Sequence, residues 1–306
     1  MISREQSDLQ SLERRIKILL PEQYQNTYDE VQPTPMGSAA LKYAPDGKVA
    51  WDQIWGGFCD LAMAGGPPHK GKLLLPASQS EIEAQPDRYN EVVNEICRGI
   101  QLVADLAAEP SANPGWIRVE CVNRATAEWL LRAITVENVA IRRNNLDLEL
   151  PAAPGFRVEK EIKNVITVVA KTAHYWFGHI YRDQRAQIRD LFTHLEQESP
   201  LLQPAYDPNV ATHESESAQL KLVAQLDELT GLRPSAHQYK DWLGIELPNV
   251  PSAIWLMRAL VASNVLARRE DKTLFLPIDR RCDPAGKIAA RSFARLLELA
   301  ALRSVL

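Results

Sequence analysis

The sequence predicts an α+β protein: an internally duplicated strand–helix–hairpin–helix unit with an N-terminal helix and hairpin extension. Three observations carry the prediction. First, Trp116–Pro151 and Trp242–Pro277 align without a gap. They match at Trp116/Trp242, Asn123/Asn249, Trp129/Trp255, Arg132/Arg258, Asn138/Asn264, Arg142-Arg143/Arg268-Arg269 and Pro151/Pro277, among others. Chance matches only roughly one position in fifteen to twenty, so the chain carries an internal repeat. Second, Val119 and Cys121, like Ile245 and Leu247, alternate with polar neighbours as half-buried strands do. Third, segments of helical period precede and follow each copy.

Taken in order, Leu9, Leu12, Ile16 and Leu19 recur at helical spacing and Pro21 stops them, which predicts a helix over 4–20. A Pro-rich polar stretch runs to about Met36. A hairpin is expected at Ala39–Tyr43 and Val49–Trp51 around the Asp46-Gly47 turn. Trp51 and Trp55, four apart, suggest a short helix that ends at Gly65-Gly66-Pro67-Pro68 and carries Cys59. Pro86 suits a first helical turn, and Val92, Val93, Ile96, Ile100 and Val103 give a helix over about 88–107 one apolar face.

Each copy then reads as a strand, a helix (124–137 and 250–263), a hairpin turning at Asn144-Asn145 or Glu270-Asp271-Lys272, and a further helix (158–178 and 284–302). Helices are also expected at 181–197 and 217–230, separated by a Pro-, Ser- and acid-rich linker. The resulting division is 1–109 (extension and leading helix), 110–198 (first copy), 199–216 (linker) and 217–306 (second copy).

Several shared residues have a structural reading. Asn123 and Asn249 stand at helix N-caps, and Asn138 and Asn264 where a left-handed residue ends a helix. Trp129 and Trp255 fall on the core side of the helical wheel. Arg132 and Arg258 fall on the opposite side, where packing does not demand arginine. With Arg142-Arg143 and Arg268-Arg269 they predict one exposed face per copy. Such a face would serve either as an anion or acidic-partner site or as salt bridges to Glu137, Glu120 or Glu246.

Two further tracts are candidates. Gly65–Lys72, with His69, Lys70 and Lys72, is a stiff loop with basic side chains. It does not fit G-x-x-x-x-G-K-[ST], because Leu73 follows Lys72, so it reads either as a ligand loop or as a helix stop. His174–His179 is dense in aromatic rings, and His174 and Trp176 could line a planar-ligand pocket or dock a helix end. Histidines five apart do not share a helix face, so no metal site is expected. Lys287, Arg291 and Arg295 form a basic stripe on the last helix.

Composition narrows the classes. A net charge of -4 and 45% hydrophobic residues suit a globular chain and argue against a surface adapted to nucleic acid. The four cysteines show no C-x-x-C spacing, no G-x-S-x-G elbow occurs, and no cofactor motif is present. The start lacks an apolar signal region and no run could span a bilayer, so a cytoplasmic protein without a membrane partner is expected. The leading expectation is a ligand-binding or assembly protein that uses the groove between the copies and the His69 loop, with an anionic small molecule or acidic protein as partner. The alternatives are an enzyme of small-molecule biosynthesis with His69, Lys70 and Cys59 near the chemistry, and nucleic-acid binding through the basic stripe.

Overall fold

A computed structural model describes residues 3–34, 39–55, 57–206 and 212–306 and has an α+β architecture. Helix α1 (Arg4–Leu19) starts where the Ser3 side chain accepts from the Gln6 amide, ends before Pro21, and buries Leu12, Ile16 and Leu19. The chain divides into two compact units, Thr27–Tyr181 and Met1–Asn26 with Arg182–Leu306.

In the Thr27–Tyr181 unit the expected hairpin contributes a single antiparallel bridge, Tyr43 with Val49. The helix expected from Trp51 to the Gly-Gly-Pro-Pro tract is absent from the described residues there. Single 3-10 turns stand at Trp51–Gln53 and Ala62–Ala64, and Cys59 lies on irregular backbone between them. The Gly56-Gly57 pair in the sequence lowers helix propensity in mid-segment. Helices α2 (Gln79–Ala84) and α3 (Pro86–Ala104) follow.

Strands β1 (Ala108–Pro110) and β2 (Trp116–Val119), helix α4 (Arg124–Val136), and strands β3 (Arg142–Asn144) and β4 (Asp147–Pro151) make the first copy. The sheet is antiparallel in the order β1-β2-β4-β3, with Trp116 opposite Pro151. A π-helical turn, Val158–Ile162, leads into α5 (Lys163–His179). Helix α3 packs on α5, where a β-carbon at Gly99 would collide with the Ile166 side chain.

The other unit carries α6 (Arg182–Glu198), α7 (Thr212–Thr230), β5 (Trp242–Glu246), α8 (Val250–Val261), β6 (Arg268–Glu270), β7 (Thr273–Pro277) and α9 (Lys287–Leu302). Its sheet order is β5-β7-β6, with Trp242 opposite Pro277, and α7 packs on α9. Helix α7 starts five residues inside the stretch expected to be linker, because acids such as Glu214 suit a helix N-terminus. Residues 207–211 of that stretch, and Met36 of the earlier Pro-rich one, lie outside the described residues.

The expected exposed arginine face is not observed. Helix α4 is buried on every side from Thr126 to Val136, and Arg132 and Arg258 are 1% and 4% exposed. The wheel separates two faces, but the sheet side and the α5 side both cover the helix.

Candidate functional site

The two asparagines that end the central helices do more than turn the chain. Asn138 sits at φ 63° and Asn264 at φ 62°, the left-handed conformation that asparagine tolerates. Asn138 Nδ2 donates to the Lys70 carbonyl at 2.7 Å, and the Leu74 amide donates to the Asn138 carbonyl at 2.9 Å. Asn264 Nδ2 likewise donates to the Ser199 carbonyl at 2.7 Å, and the Leu202 amide to the Asn264 carbonyl at 2.9 Å. Each helix end thus holds a strap of chain that comes earlier in the sequence.

In the Thr27–Tyr181 unit this strap meets buried charge. Glu137, wholly buried, accepts from the Ala62 amide at 3.0 Å and the His69 amide at 2.8 Å. It also pairs with Lys171 Nζ at 2.9 Å, and Lys171 is wholly buried on α5. The same ammonium donates to Cys59 Sγ at 3.2 Å. Burial works against the lysine charge, but Glu137 and Cys59 more than offset it and hold its pKa above the ordinary value. Bringing such a pair out of water costs several kcal/mol per ion, so it survives only because each oxygen is bonded.

His69 is half-buried and hydrogen-bonds Asn164. Its Nε2 is buried without a hydrogen-bond partner among the described residues. Burial pushes the ring down to about 4, so it is neutral at physiological pH. The loop is not an empty phosphate cradle. The Gly65 and Gly66 amides donate to Ala62 and Leu61 carbonyls, and the His69 and Lys70 amides donate to Glu137. Lys70 is half-buried and Lys72 exposed.

A second arrangement lies along the outer part of α5. Trp51 is buried, donates Nε1 to Glu95 at 2.7 Å, and stacks on Trp55 at 6.4 Å. The row continues through Phe58 (6.1 Å) to His174 (5.3 Å) and His179 (4.7 Å). Trp55, Phe58 and His174 of this row line a groove of about 460 Å³, together with Phe177, Asp52 and Asp105. Neither carboxylate forms a direct ion pair among the described residues, although Asp52 lies near enough to Arg98 to help raise its pKa. Burial, and then the neighbouring His179, depress His174.

The sequence candidates therefore separate. His69 and Lys70 belong with Glu137 and Lys171, and His174 lines the groove. Trp176 is core, donating Nε1 to Thr126 Oγ1 at 3.0 Å beside Trp129. Arg132 lies 3.6 Å from Glu128 and donates to its carbonyl, not to Glu137, and Arg124 and Arg143 also pair with Glu128. Burial opposes the Glu128 charge, yet these arginines keep its carboxyl below the usual range. Arg258 is buried in α8, in the compact unit that does not contain His69, Lys171 or His174. On the basic stripe, Arg295 pairs with Asp8 and Glu298.

Lys171, Asp52 and Asp105 escaped sequence reasoning. One signal was present for Lys171, a single cation within the apolar run Val165–Ala173. Among the described residues no three His, Cys, Asp or Glu side chains group as a metal site, and no helix is long and apolar enough to cross a membrane. No protein-family model, curated protein or solved structure matches the chain, and the reading of the site rests on its geometry.

Proposed function

We propose that this is a binding protein whose ligand presents an alkylated ammonium or guanidinium group to the groove on α5. One observation carries the reading: three aromatic rings, Trp55, Phe58 and Phe177, share a groove with Asp52 and Asp105, which form no direct ion pair among the described residues. Ring faces attract a cation through their quadrupole, and the attraction grows as the site is desolvated. Asp52 and Asp105 put carboxylates in the groove, and burial lowers the pKa of His174, which disfavours a competing cation there. Trp55 rests on the buried Trp51, so the platform is rigid before a ligand arrives and less entropy is lost on binding. The Gly65–Lys72 loop offers less to an enzyme mechanism, since its Gly65, Gly66, His69 and Lys70 amides are occupied within the fold.

The test is a titration of the protein with a peptide bearing trimethyllysine, followed by tryptophan emission. Saturable quenching is expected, weakened about tenfold by Asp105→Asn and lost in Trp55→Ala. An unsaturable response, or one retained in the double variant Trp55→Ala/Asp105→Asn, overturns the reading.

A further inference from the structure

We infer that Cys59 and Lys171 form an oxidant-responsive modification site in which peroxide joins the two side chains covalently. The proposal is independent of the groove. Its ground is the 3.2 Å contact between the sulfur of Cys59, a partly exposed residue, and an ammonium with no exposed surface. A lysine ammonium has three N–H donors, and here Glu137 and Cys59 take one each. The buried Nε2 of His69 is an unsatisfied neighbour that adds no competing cation. A cysteine reacts with peroxide as the thiolate, whose sulfur is the nucleophile.

The other cysteines lack this arrangement. Burial pushes Cys97 and Cys121 up to about 12, and Cys282, the most exposed, has its thiol raised by burial and by Asp279.

The chemistry balances with a hydroperoxide as oxidant. The Cys59 thiolate attacks one peroxide oxygen, an S–O bond forms, the O–O bond breaks and hydroxide leaves, giving the sulfenic acid. Hydroxide takes a proton from the Lys171 ammonium and becomes water. The amine lone pair then attacks sulfur, the S–O bond breaks, a second water leaves and an S–N bond joins the residues. The sulfur is oxidised by two electrons, the peroxide is reduced to two waters, and external thiol reverses the bond. The product carries no charge at Lys171, so Glu137 loses its cation while keeping its two amide donors. Oxidation therefore loosens the attachment of the His69 strap.

The experiment treats the full chain with hydrogen peroxide and maps peptides by mass spectrometry. The expected result is a linked Cys59–Lys171 pair that has lost two hydrogens and is restored by dithiothreitol. Cys59→Ser, which keeps the Glu137–Lys171 pair, should show complete loss of the link. Lys171→Met should leave a Cys59 sulfenic acid that dimedone traps. Should Lys171→Met fail to fold, the wild-type map and Cys59→Ser still decide. Oxidation of Cys282 with Cys59 remaining a thiol overturns the proposal, as does Cys59 passing to sulfinic acid with Lys171 unmodified.

Discussion

At the end of α4, Asn138 turns left-handed and holds the Lys70 carbonyl, and at the end of α8, Asn264 does the same for Ser199. One residue earlier the copies part. Glu137 in the first is Ser263 in the second, Glu128 is Ile254, and Glu149 is Phe275. Helix α5 buries Lys163 and Lys171, whereas the buried residues of α9 are Ala289, Ala290, Phe293, Leu296, Leu299 and Ala300. Around β6, Arg268 packs its guanidinium over Phe275 at 4.0 Å, where Arg142 of the first copy bonds Glu149 at 2.5 Å. The second copy also buries charge, at Arg258, Arg268, Arg269 and Glu270, but the position that Glu137 occupies is a serine there and α9 buries no lysine. The buried Glu137–Lys171 pair is thus particular to the first copy, and the amides and thiol around it offset its desolvation.

The largest test of that contrast removes the charge. Glu137→Gln leaves Lys171 buried without its counter-ion and should cost about 3–5 kcal/mol in denaturant unfolding, whereas Ser263→Ala should change stability by about 0.5 kcal/mol or less. A Glu137→Gln/Lys171→Met double variant should recover part of the loss, and strict additivity would show that the pair is not coupled.

Acid should act on the same place. His69 is depressed to about 4 from 6.5, so the fold prefers the neutral ring. Its contribution is full above pH 6.5, falls as pH drops toward 4, and amounts to on the order of 3 kcal/mol. His69→Gln should flatten stability across that window, and an unchanged pH profile would remove His69 as the cause.

Smaller effects should be equal in the two copies. Asn138→Ala and Asn264→Ala each put a residue that tolerates the left-handed turn less well at the helix end and remove a strap bond, about 2 kcal/mol apiece by thermal unfolding. Asn123 and Asn249 accept from the Thr126 and Ser252 amides at 3.0 and 2.9 Å, so replacement by Ala should cost about 1 kcal/mol in either helix. A clear inequality within either pair would mean that the shared asparagines are not doing the same work.

Local signals were legible in the sequence because their physics is local. The caps, the left-handed asparagines, the hairpin turns at Asn145 and Asp271, and the strand alternation depend on a few neighbouring residues. The site was half legible. His69 and His174 stood out as unusual residues, but Lys171 is 112 positions from Cys59, and no spacing rule links them. The arginines misled because a helical wheel assumes one wet face. Helix α4 has none, and Arg132 finds Glu128 one turn away instead of Glu137. Trp51 and Trp55 do stack, but without the helix their spacing suggested.

The strap also bears on the order in which the Thr27–Tyr181 unit assembles. The bonds from His69 to Glu137 and from Asn138 to Lys70 each close a loop of 68 positions, while the turn that ends α4 needs only its own helix. Closing a long loop spends chain entropy before any contact repays it. The helix end therefore forms first, with the Glu137 carboxylate still in water. Its last shell of solvent leaves only when the strap arrives, so neutralising that charge belongs to the closing step of folding and not to its nucleus.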